Sequence, residues 1–254
     1  MSRAERAFRT PAIILKRRDF GEADRLLTVL TPDHGKLDVI AKGARKPTST
    51  RTGHVELFTR SDLLIHKGRE LDIVVQAEMS APYLAVREDL TRGAYASYTA
   101  ELADRFTGAG DADYDELFAL MDATLDRLCT EDDPRLVVRY YEIHLLDAVG
   151  FRPELTECVV SREEIEAEDQ FFSYGLGGVV RPGYAHAGEG VVAVSMPALK
   201  LLRHMQRSPF AQVKALKVAP KVHDEAERIL IGYITFLLER RLQSVDFIRR
   251  LRQT

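Results

Sequence analysis

The 254-residue chain has only two cysteines, Cys129 and Cys158, and no hydrophobic run that approaches the length of a membrane helix. Two cysteines exclude a disulfide framework and are typical of a reducing compartment. A membrane-spanning helix needs roughly 18 or more apolar residues in succession. Residues 1–10 are polar and basic and lack the apolar stretch of a secretory signal. We therefore expect a cytoplasmic protein with no membrane segment.

The sequence also lacks the spacings that mark common catalytic and metal sites. Its seven histidines form no His-x-x-x-His or His-x-His pair, which disfavours a metal hydrolase. Glu22 and Asp24 form a carboxylate pair without an accompanying histidine, so we expect them to make salt bridges with Arg25 or Lys36. Residues 175–178 are glycine-rich but lack the Gly-Lys-Ser/Thr ending of a phosphate-binding loop, and we interpret them as a turn. We predict no catalytic residues.

Charge is distributed unevenly behind a formal net charge of −3. Residues 1–80 carry a net charge of +4, residues 81–170 one of −14, and residues 171–254 one of +7. Basic ends favour an anionic partner, while an ordinary solvated surface is an equally open alternative. The nearly balanced total disfavours a dedicated DNA coat protein, which is usually basic throughout.

The first 80 residues predict a small β-barrel or sandwich. Aliphatic and β-branched runs alternate with turn residues, as where Leu37, Val39 and Ala41 alternate with polar residues after the turn at 31–35. A barrel of this size pairs its own edge strands. The predicted strands are 11–18, 25–31, 36–41, 55–58, 63–66 and 71–77.

From about residue 90 the apolar residues recur at helical spacing. Asp133 before Pro134 predicts an N-cap with proline at the first helical position, and Gly150 predicts the end of that helix. Ser195 predicts a second N-cap. Residues 223–241 are apolar on more than one face, which predicts a core helix. The first helical stripe consists of Ala94, Tyr98, Leu102 and Phe106.

Residues 151–190 interrupt the helical pattern with eight glycines and prolines. Within this stretch, 171–174 and 179–180 predict a short hairpin. We therefore predict a β domain over 1–80 and a helical domain over 81–254, in which 151–190 form an insert.

Several motifs, spread over essentially the whole chain, together resemble the RecO family of bacterial DNA repair and recombination-mediator proteins. Each motif alone is a weak signal, but their order along the chain is specific. They are DFGEADRLLTVLT at 19–31, HGK at 34–36, AKGAR at 41–45, Tyr98, EL at 101–102, LL at 145–146, GFRP at 150–153 and GGV at 177–179.

The resemblance implies an α+β, multidomain fold with an N-terminal OB-fold barrel and a C-terminal helical domain. It implies a non-enzymatic protein that binds single- and double-stranded DNA and anneals complementary strands. It further implies that the protein acts with RecR and with the C-terminal tail of SSB in loading recombinase, at the nucleoid.

Many family members carry a zinc module in the insert, built from two Cys-x-x-Cys pairs. Here Cys158 keeps the first cysteine of the first pair, but Ser161 stands at the second. Arg181 and Tyr184 stand where the second pair is expected. A structural zinc site needs four N or S ligands, which Cys158 does not supply even with His186. We predict a degenerate, zinc-ribbon-like insert that lacks the metal ligands, with no zinc and no other cofactor. We expect it to be held by packing of Phe171, Phe172, Tyr174 and Val180.

OB-folds bind single strands through a basic groove with stacking aromatics, which makes the cationic residues of the barrel the candidates. The loop 42–53 combines cations, which neutralise phosphates, with small residues such as Ser49 and Thr50. Phe20 and Phe58 are candidates for base stacking. The alternatives are a solvated loop, strand-edge charges and core aromatics. The predicted DNA-binding residues are Arg17, Arg18, Arg25, Lys36, Lys42, Arg45, Lys46 and Arg51.

The basic C-terminal third offers a second surface, for the acidic, apolar-ended tail of SSB. Such a tail needs a hydrophobic groove with a cationic rim. Leu199, Leu202 and Met205 are candidates for the floor of that groove, with core packing as the alternative, and the rim is equally suited to duplex DNA. The predicted partner-binding residues are Lys200, Arg203, Arg207, Lys214, Lys217 and Lys221.

Two other functions remain open on the sequence. A protein-interaction scaffold of the repair machinery with little intrinsic DNA affinity predicts weak, salt-insensitive DNA binding. A nuclease that uses carboxylates and a divalent metal predicts cleavage with Mg²⁺, but the sequence shows no convergent carboxylate set.

Overall fold

The computed structural model describes residues 7–47, 49, 51–108 and 114–252, which divide into two compact units. Unit 1 comprises the described residues up to Thr130 together with those from Ser244 onward, and unit 2 comprises Glu131–Gln243. The barrel ends near residue 80, but helices that follow it belong to the same unit. No helix in the described ranges is both long and apolar enough to span a bilayer.

Unit 1 is built on a closed five-stranded barrel with the order β1-β2-β3-β5-β4, the architecture of an OB-fold. Neighbouring strands are antiparallel except β3 and β5, which are parallel. This confirms the predicted N-terminal barrel. Its strands are β1 (Ala7–Phe20), β2 (Asp24–Thr31), β3 (Gly35–Ala41), β4 (Arg60–His66) and β5 (Asp72–Ala81).

Alternate residues of the strands fill the barrel interior. Leu27 lies opposite Val39, and both are fully buried, as is Val29 on the same face. Each such side chain contributes about 1.5–3 kcal/mol when it is fully buried. The register between β2 and β3 is set by the turn from Thr31, whose hydroxyl donates to the carbonyl of Gly35. Gly35 has a φ of 65°, which a side chain would disfavour.

The predicted strand at 55–58 is wrong. The chain instead forms a 3₁₀ helix at Thr52–Val55 and then a turn in which Phe58 has a φ of 63°. The 3₁₀ helix and the left-handed Phe58 keep residues 55–57 out of the sheet. The Phe58 N–H still donates to the Ile14 carbonyl of β1 (3.0 Å), so the chain meets β1 just before β4 begins. Val55 and Phe58 are buried, so their apolar character reflects packing without strand pairing.

The helices begin and end largely where the capping residues predict. Asp133 accepts a hydrogen bond from the Leu136 N–H, and Ser195 accepts one from the Ala198 N–H. Gly150 follows its helix with a φ of 82°. The helices are α1 (Leu84–Glu88), α2 (Leu90–Phe106), α3 (Asp115–Thr130), α4 (Pro134–Ala148), α5 (Met196–Arg207), α6 (Phe210–Val213), α7 (Pro220–Leu238) and α8 (Gln243–Leu251).

In unit 1, helix α2 packs on the outside of β1. The predicted stripe of α2 lies on its buried face, with Tyr98 and Leu102 fully buried. Ile13 and Leu15 of β1 are also buried, although they lie on the outer face of the barrel. Helix α8 returns to this unit, where the Ser244 N–H donates to Glu101 (3.0 Å).

Unit 2 combines helices α4–α7 with a small antiparallel sheet in the order β7-β6-β8. The predicted hairpin is confirmed as β6 (Gln170–Ser173) and β7 (Gly178–Val180), and the sequence analysis missed β8 (Val191–Val194). Residues 174–177 form the turn between β6 and β7, so 175–177 lie in a turn as predicted, and Gly178 begins β7. Phe172 packs against Tyr233 of α7 at 5.4 Å between ring centroids, as expected for an insert held by aromatic packing.

Helix α7 begins and ends three residues earlier than predicted. It ends at Leu238, because Glu239 adopts a left-handed conformation with a φ of 51°. Ile229 and Ile234 are fully buried, whereas Phe236 is exposed. One face of the helix therefore packs in the core of unit 2, and its second apolar face remains partly exposed.

Candidate nucleic-acid interface

Two connections meet at one end of the barrel in unit 1. The strand register places Arg25 of β2 opposite Ala41 of β3, so the β1–β2 turn at 21–23 lies beside the segment that follows β3. The β4–β5 turn at 67–71 lies toward the opposite end, because His66 pairs with Ala7 at the start of β1 and β5 runs parallel to β3 from Asp72. In OB-folds the β1–β2 and β4–β5 loops flank the surface that binds oligonucleotides.

The segment after β3 is an ordered basic turn, which we define as Lys42, Gly43, Ala44, Arg45 and Lys46. Asp24 of β2 accepts a hydrogen bond from the Gly43 N–H (2.7 Å), and the Arg45 N–H donates to the Ala23 carbonyl (2.9 Å). Ala44 is fully buried, and Gly43 has a φ of 66°. The turn is thus fixed on the β1–β2 hairpin.

The three cations of the basic turn are exposed. Arg45 approaches Asp19 (3.3 Å) and donates to the carbonyls of Gly21 and Glu22. Lys42 and Lys46 make no ion pair or side-chain hydrogen bond with any described residue. Both ammonium groups can therefore neutralise an external anion.

Arg18 and Arg51 differ in how accessible they are. Arg18, near the end of β1, is exposed. Arg51 donates to the Val74 carbonyl (2.9 Å) and is half-buried, so it ties the loop 42–53 to β5. Ser49 accepts a hydrogen bond from the Arg51 N–H, and Thr50 lies outside the described residues.

Arg17 and Arg25 contact the same carboxylate. The Arg25 guanidinium lies 2.8 Å from Glu56, and Arg17 also hydrogen-bonds to it. The Arg25 side chain is only 13% exposed. These two candidates are held at the barrel end and are already paired.

Lys36 lies under helix α2. Its ammonium donates to the carbonyl oxygen (2.6 Å) and to the carboxylate (3.2 Å) of Asp104, which also binds Lys16. Burial alone raises the pKa of Asp104, but the hydrogen bond from Lys16 and the charge of Lys36 outweigh it and hold that pKa below its usual value. Lys36 therefore fixes the helix to the barrel and lies apart from the basic turn.

The predicted salt bridges of Glu22 and Asp24 are wrong. Arg25 pairs with Glu56, Lys36 pairs with Asp104, and Asp24 accepts a backbone N–H. The partners expected from sequence neighbourhood are thus replaced by carboxylates distant in sequence.

The two candidate stacking residues are separated by the fold. Phe20 is 46% exposed at the end of β1, beside the β1–β2 turn. Phe58 is 7% exposed and belongs to the barrel core, so the core alternative holds for it. Phe20 alone has a ring surface that a base can reach.

One acid at this end and two cations of the β4–β5 turn have no counterpart among the predicted site residues. Lys67 and Arg69 are exposed in the β4–β5 turn, and their place between two predicted strands was the available signal. Glu56 is defined only by its contacts, which no local pattern reveals.

In unit 2, the candidate partner-binding residues are divided between structural contacts and free charges. Arg203 donates to the Leu155 carbonyl, and Arg207 donates to the Thr156 hydroxyl (2.7 Å). Burial and the charge of Arg207 lower the pKa of Arg203. Lys214 pairs with Glu131 at 3.0 Å. Three of the six candidates are exposed and make no side-chain contact with a described residue. They are Lys200, Lys217 and Lys221.

The groove floor suggested for this surface is part of the core. Leu199, Leu202 and Met205 are at most 2% exposed, so the core-packing alternative is correct for them. Any apolar contact for a partner tail on these helices must come from other residues.

The residues at the positions where the resemblance places zinc ligands do not fit a zinc ion. Cys158 Sγ accepts hydrogen bonds from the Ser161 and Arg181 N–H groups at 3.5 Å. Burial raises the pKa of Cys158, but these donors outweigh it and lower the pKa to about 7. Arg181 forms ion pairs with Glu163 and Glu166, so a cationic side chain occupies a position where a metal ligand is expected. Across the described ranges, no three His, Cys, Asp or Glu side chains converge as metal ligands do.

Comparison with known proteins covers nearly the whole chain. Residues 3–83 match the family model "Recombination protein O N terminal", and residues 87–246 match "Recombination protein O C terminal". The chain is 39% identical over 249 residues to the DNA repair protein RecO of Roseiflexus sp. (strain RS-1), which covers 98% of this chain and 87% of that protein. It is 35% identical over 246 residues to the DNA repair protein RecO of Pelotomaculum thermopropionicum, covering 97% and 95% of the two chains. The DNA repair protein RecO of Dehalococcoides mccartyi (strain ATCC BAA-2100 / JCM 16839 / KCTC 5957 / BAV1) is 34% identical over 245 residues, with 96% of each chain covered.

Proposed function

The chain belongs to the RecO family of DNA repair proteins, and from this premise we propose that its barrel binds single-stranded DNA through the basic turn. The observation that carries the proposal is the turn itself. Lys42, Arg45 and Lys46 are exposed, and they sit on a turn fixed by backbone hydrogen bonds. Phe20, beside the neighbouring β1–β2 turn, lies at the same end.

The interaction we propose is electrostatic and sequence-independent. Each phosphate that a lysine or arginine neutralises releases condensed counterions, which supplies affinity and makes it fall with salt. Phe20 offers a face on which a base can stack. No covalent step is involved, so we propose a binding protein and not an enzyme.

The proposed function extends to double-stranded DNA and to annealing. A strand held loosely through its phosphates keeps its bases free to pair with a second, complementary strand. Arg17, Arg18, Arg25, Lys36 and Arg51 remain candidates in this interface. The side chains of Lys36 and Arg25 are only 16% and 13% exposed and already pair with carboxylates, so we assign them the smallest direct contribution.

We further propose that the protein acts with RecR and with the C-terminal tail of SSB to load recombinase at the nucleoid. For the acidic SSB tail, the favoured contacts are Lys200, Lys217 and Lys221, because they are exposed and make no contact with a described side chain. Arg203, Arg207 and Lys214 already bind partners within unit 2 and are the weaker candidates.

The test is a salt series of single-stranded DNA binding and strand annealing with the wild type and the triple variant Lys42→Ala/Arg45→Ala/Lys46→Ala. Loss of three phosphate contacts should reduce the slope of log K against log[salt] by about 2, at about 0.7 per contact on a single strand. The matched control is Arg240→Ala/Arg241→Ala/Arg249→Ala, which removes three exposed cations from other parts of the chain.

The proposal is supported if the triple variant loses affinity and slope while the control retains both. If the wild type shows only weak, salt-insensitive binding, DNA binding by the barrel is wrong. The chain would then act as an interaction scaffold of the repair machinery. Thermal unfolding of each variant shows whether a loss reflects the interface or the fold.

A further inference from the structure

Three arginines converge on one carboxylate at the end of the barrel that carries the basic turn. Arg25 lies 2.8 Å from Glu56, Arg17 hydrogen-bonds to the same carboxylate, and Arg87 of α1 lies 4.0 Å away. We refer to these four residues as the Glu56 cluster. All four belong to unit 1.

The Glu56 cluster carries an excess of positive charge. One carboxylate faces three guanidinium groups, and no other carboxylate of the described chain lies within ion-pair distance of them. The Nε atom of Arg25 is buried and has no hydrogen-bond partner among the described atoms. The side chains of Arg17 and Arg87 are 31% and 30% exposed, so an external anion can reach them.

The backbone holds the cluster in place before any ligand arrives. Arg17 and Arg25 project from paired strands, where Arg17 lies opposite Leu27 and Arg25 lies opposite Asp19. Glu56 directly follows the 3₁₀ helix, and its carbonyl accepts hydrogen bonds from both the N–H and the hydroxyl of Thr59. The guanidinium groups are therefore preorganised around the site of one anion.

A carboxylate and a phosphate present similar oxygen pairs to arginine. The planar guanidinium fork binds either group through charge-assisted hydrogen bonds. We propose that Glu56 is an internal substitute for a DNA phosphate, with which a backbone phosphate of single-stranded DNA competes for Arg17 and Arg87. This inference rests on the proposed DNA binding of the barrel.

The consequence is a built-in limit on affinity. While Glu56 occupies the arginines, a strand gains less from them than from the free lysines of the basic turn. A protein that anneals strands must release them, and an internal competitor lowers the affinity without removing the contact.

The central test is Glu56→Gln, which keeps the size of the side chain and removes its charge. We expect single-stranded DNA affinity at 50 mM salt to rise about threefold to tenfold, with a salt slope steeper by about 0.7 for one additional phosphate contact. The advantage over the wild type should then shrink about 2.6-fold between 50 and 200 mM salt.

The matched control is Glu22→Gln, which removes one negative charge from the same end of the barrel. Glu22 is exposed, and its carboxylate makes no ion pair with a described residue. If both variants raise affinity equally and with the same slope, the gain is a general charge effect and the Glu56 proposal is overturned. It is also overturned if Glu56→Gln binds like the wild type.

A second variant decides the question even if Glu56→Gln does not fold. Arg87→Gln removes the most distant arginine of the cluster and should weaken binding about twofold to fourfold, with a slope shallower by about 0.7. Wild-type binding by Arg87→Gln contradicts the proposal. If the wild type binds DNA and the basic-turn variant does not, the proposed function stands whatever these two variants show.

Discussion

Replacing Glu142 by glutamine should destabilise unit 2 by about 3–5 kcal/mol, the cost of breaking a buried ion pair by removing one partner. Arg139 and Glu142 lie three residues apart on helix α4, and their charged groups are 2.8 Å apart. Their side chains are 3% and 0% exposed. This is the most deeply buried ion pair among the described residues.

The size of this destabilisation follows from the Arg139 charge, which stays buried without its partner after the substitution. Two unit charges about 4 Å apart attract by about 4 kcal/mol at an effective dielectric constant of 20. Glutamine keeps an acceptor oxygen but no charge, so this attraction is lost while the guanidinium stays out of water. The Nε and Nη1 atoms of Arg139 already have no hydrogen-bond partner in the described part of the chain, so no second contact compensates.

Urea unfolding followed by circular dichroism measures the effect. The matched control is Asp147→Asn in the pair between Asp147 and Arg152, which has nearly the same separation, 2.9 Å. Those side chains are 40% and 54% exposed, so the control should cost less than about 1 kcal/mol. The double variant Arg139→Met/Glu142→Leu should unfold at or above the wild-type midpoint, because apolar groups of similar size remove both desolvation costs.

The result that refutes this reasoning is equal destabilisation by Glu142→Gln and Asp147→Asn. Burial would then not determine the energy of these pairs. A double variant as unstable as Glu142→Gln would show that the ion pair itself, and not the isolated arginine charge, stabilises the core.

Two further predictions concern pH and the insert. Since the pKa of Asp104 is lowered in the folded protein, its contribution is present above the unfolded pKa of about 3.9 and is lost as pH falls through the lower folded value. Asp104→Asn should therefore lower the melting temperature at pH 7, and the difference from the wild type should shrink as the pH falls below about 3.9, which thermal scans across that range can check. Cys158→Ala leaves two partly buried N–H groups without their acceptor and should cost about 1–3 kcal/mol in urea unfolding. Cys129→Ala should change little, since this thiol makes no contact of that kind among the described residues.

The barrel was predictable because its pattern is local and periodic. Leu37, Val39 and Ala41 alternate along β3, and the turn at 31–35 contains residues that suit only a turn. The strand prediction at 55–58 failed because the local sequence there does not decide between two structures. The three apolar residues Val55, Leu57 and Phe58 fit a strand or a buried turn equally well, and only the folded backbone, with its left-handed Phe58, decides between them.

The residue types of the candidate site were predictable from the sequence, but the ion pairs that its cations form were not. The cations of the basic turn follow a strand end directly, and their exposure agrees with the sequence pattern. Arg25 and Lys36 looked equivalent to them, but their partners Glu56 and Asp104 lie 31 and 68 residues away. Such contacts arise only when the strands and helices have packed.

The return of helix α8 to unit 1 has a consequence for the order of folding. Ser244 reaches Glu101 across 143 residues, and Arg252 reaches the Tyr95 hydroxyl across 157. Closing so long a loop in an unfolded chain is slow and entropically unfavourable, whereas unit 2 is one continuous segment with mostly nearer contacts. Unit 2 can fold first and shorten the effective loop, so we expect α8 to join unit 1 last. The final element of the barrel unit, α8, follows unit 2 in the chain. Cleavage of the backbone inside unit 2 would therefore weaken the attachment of α8 to the barrel unit.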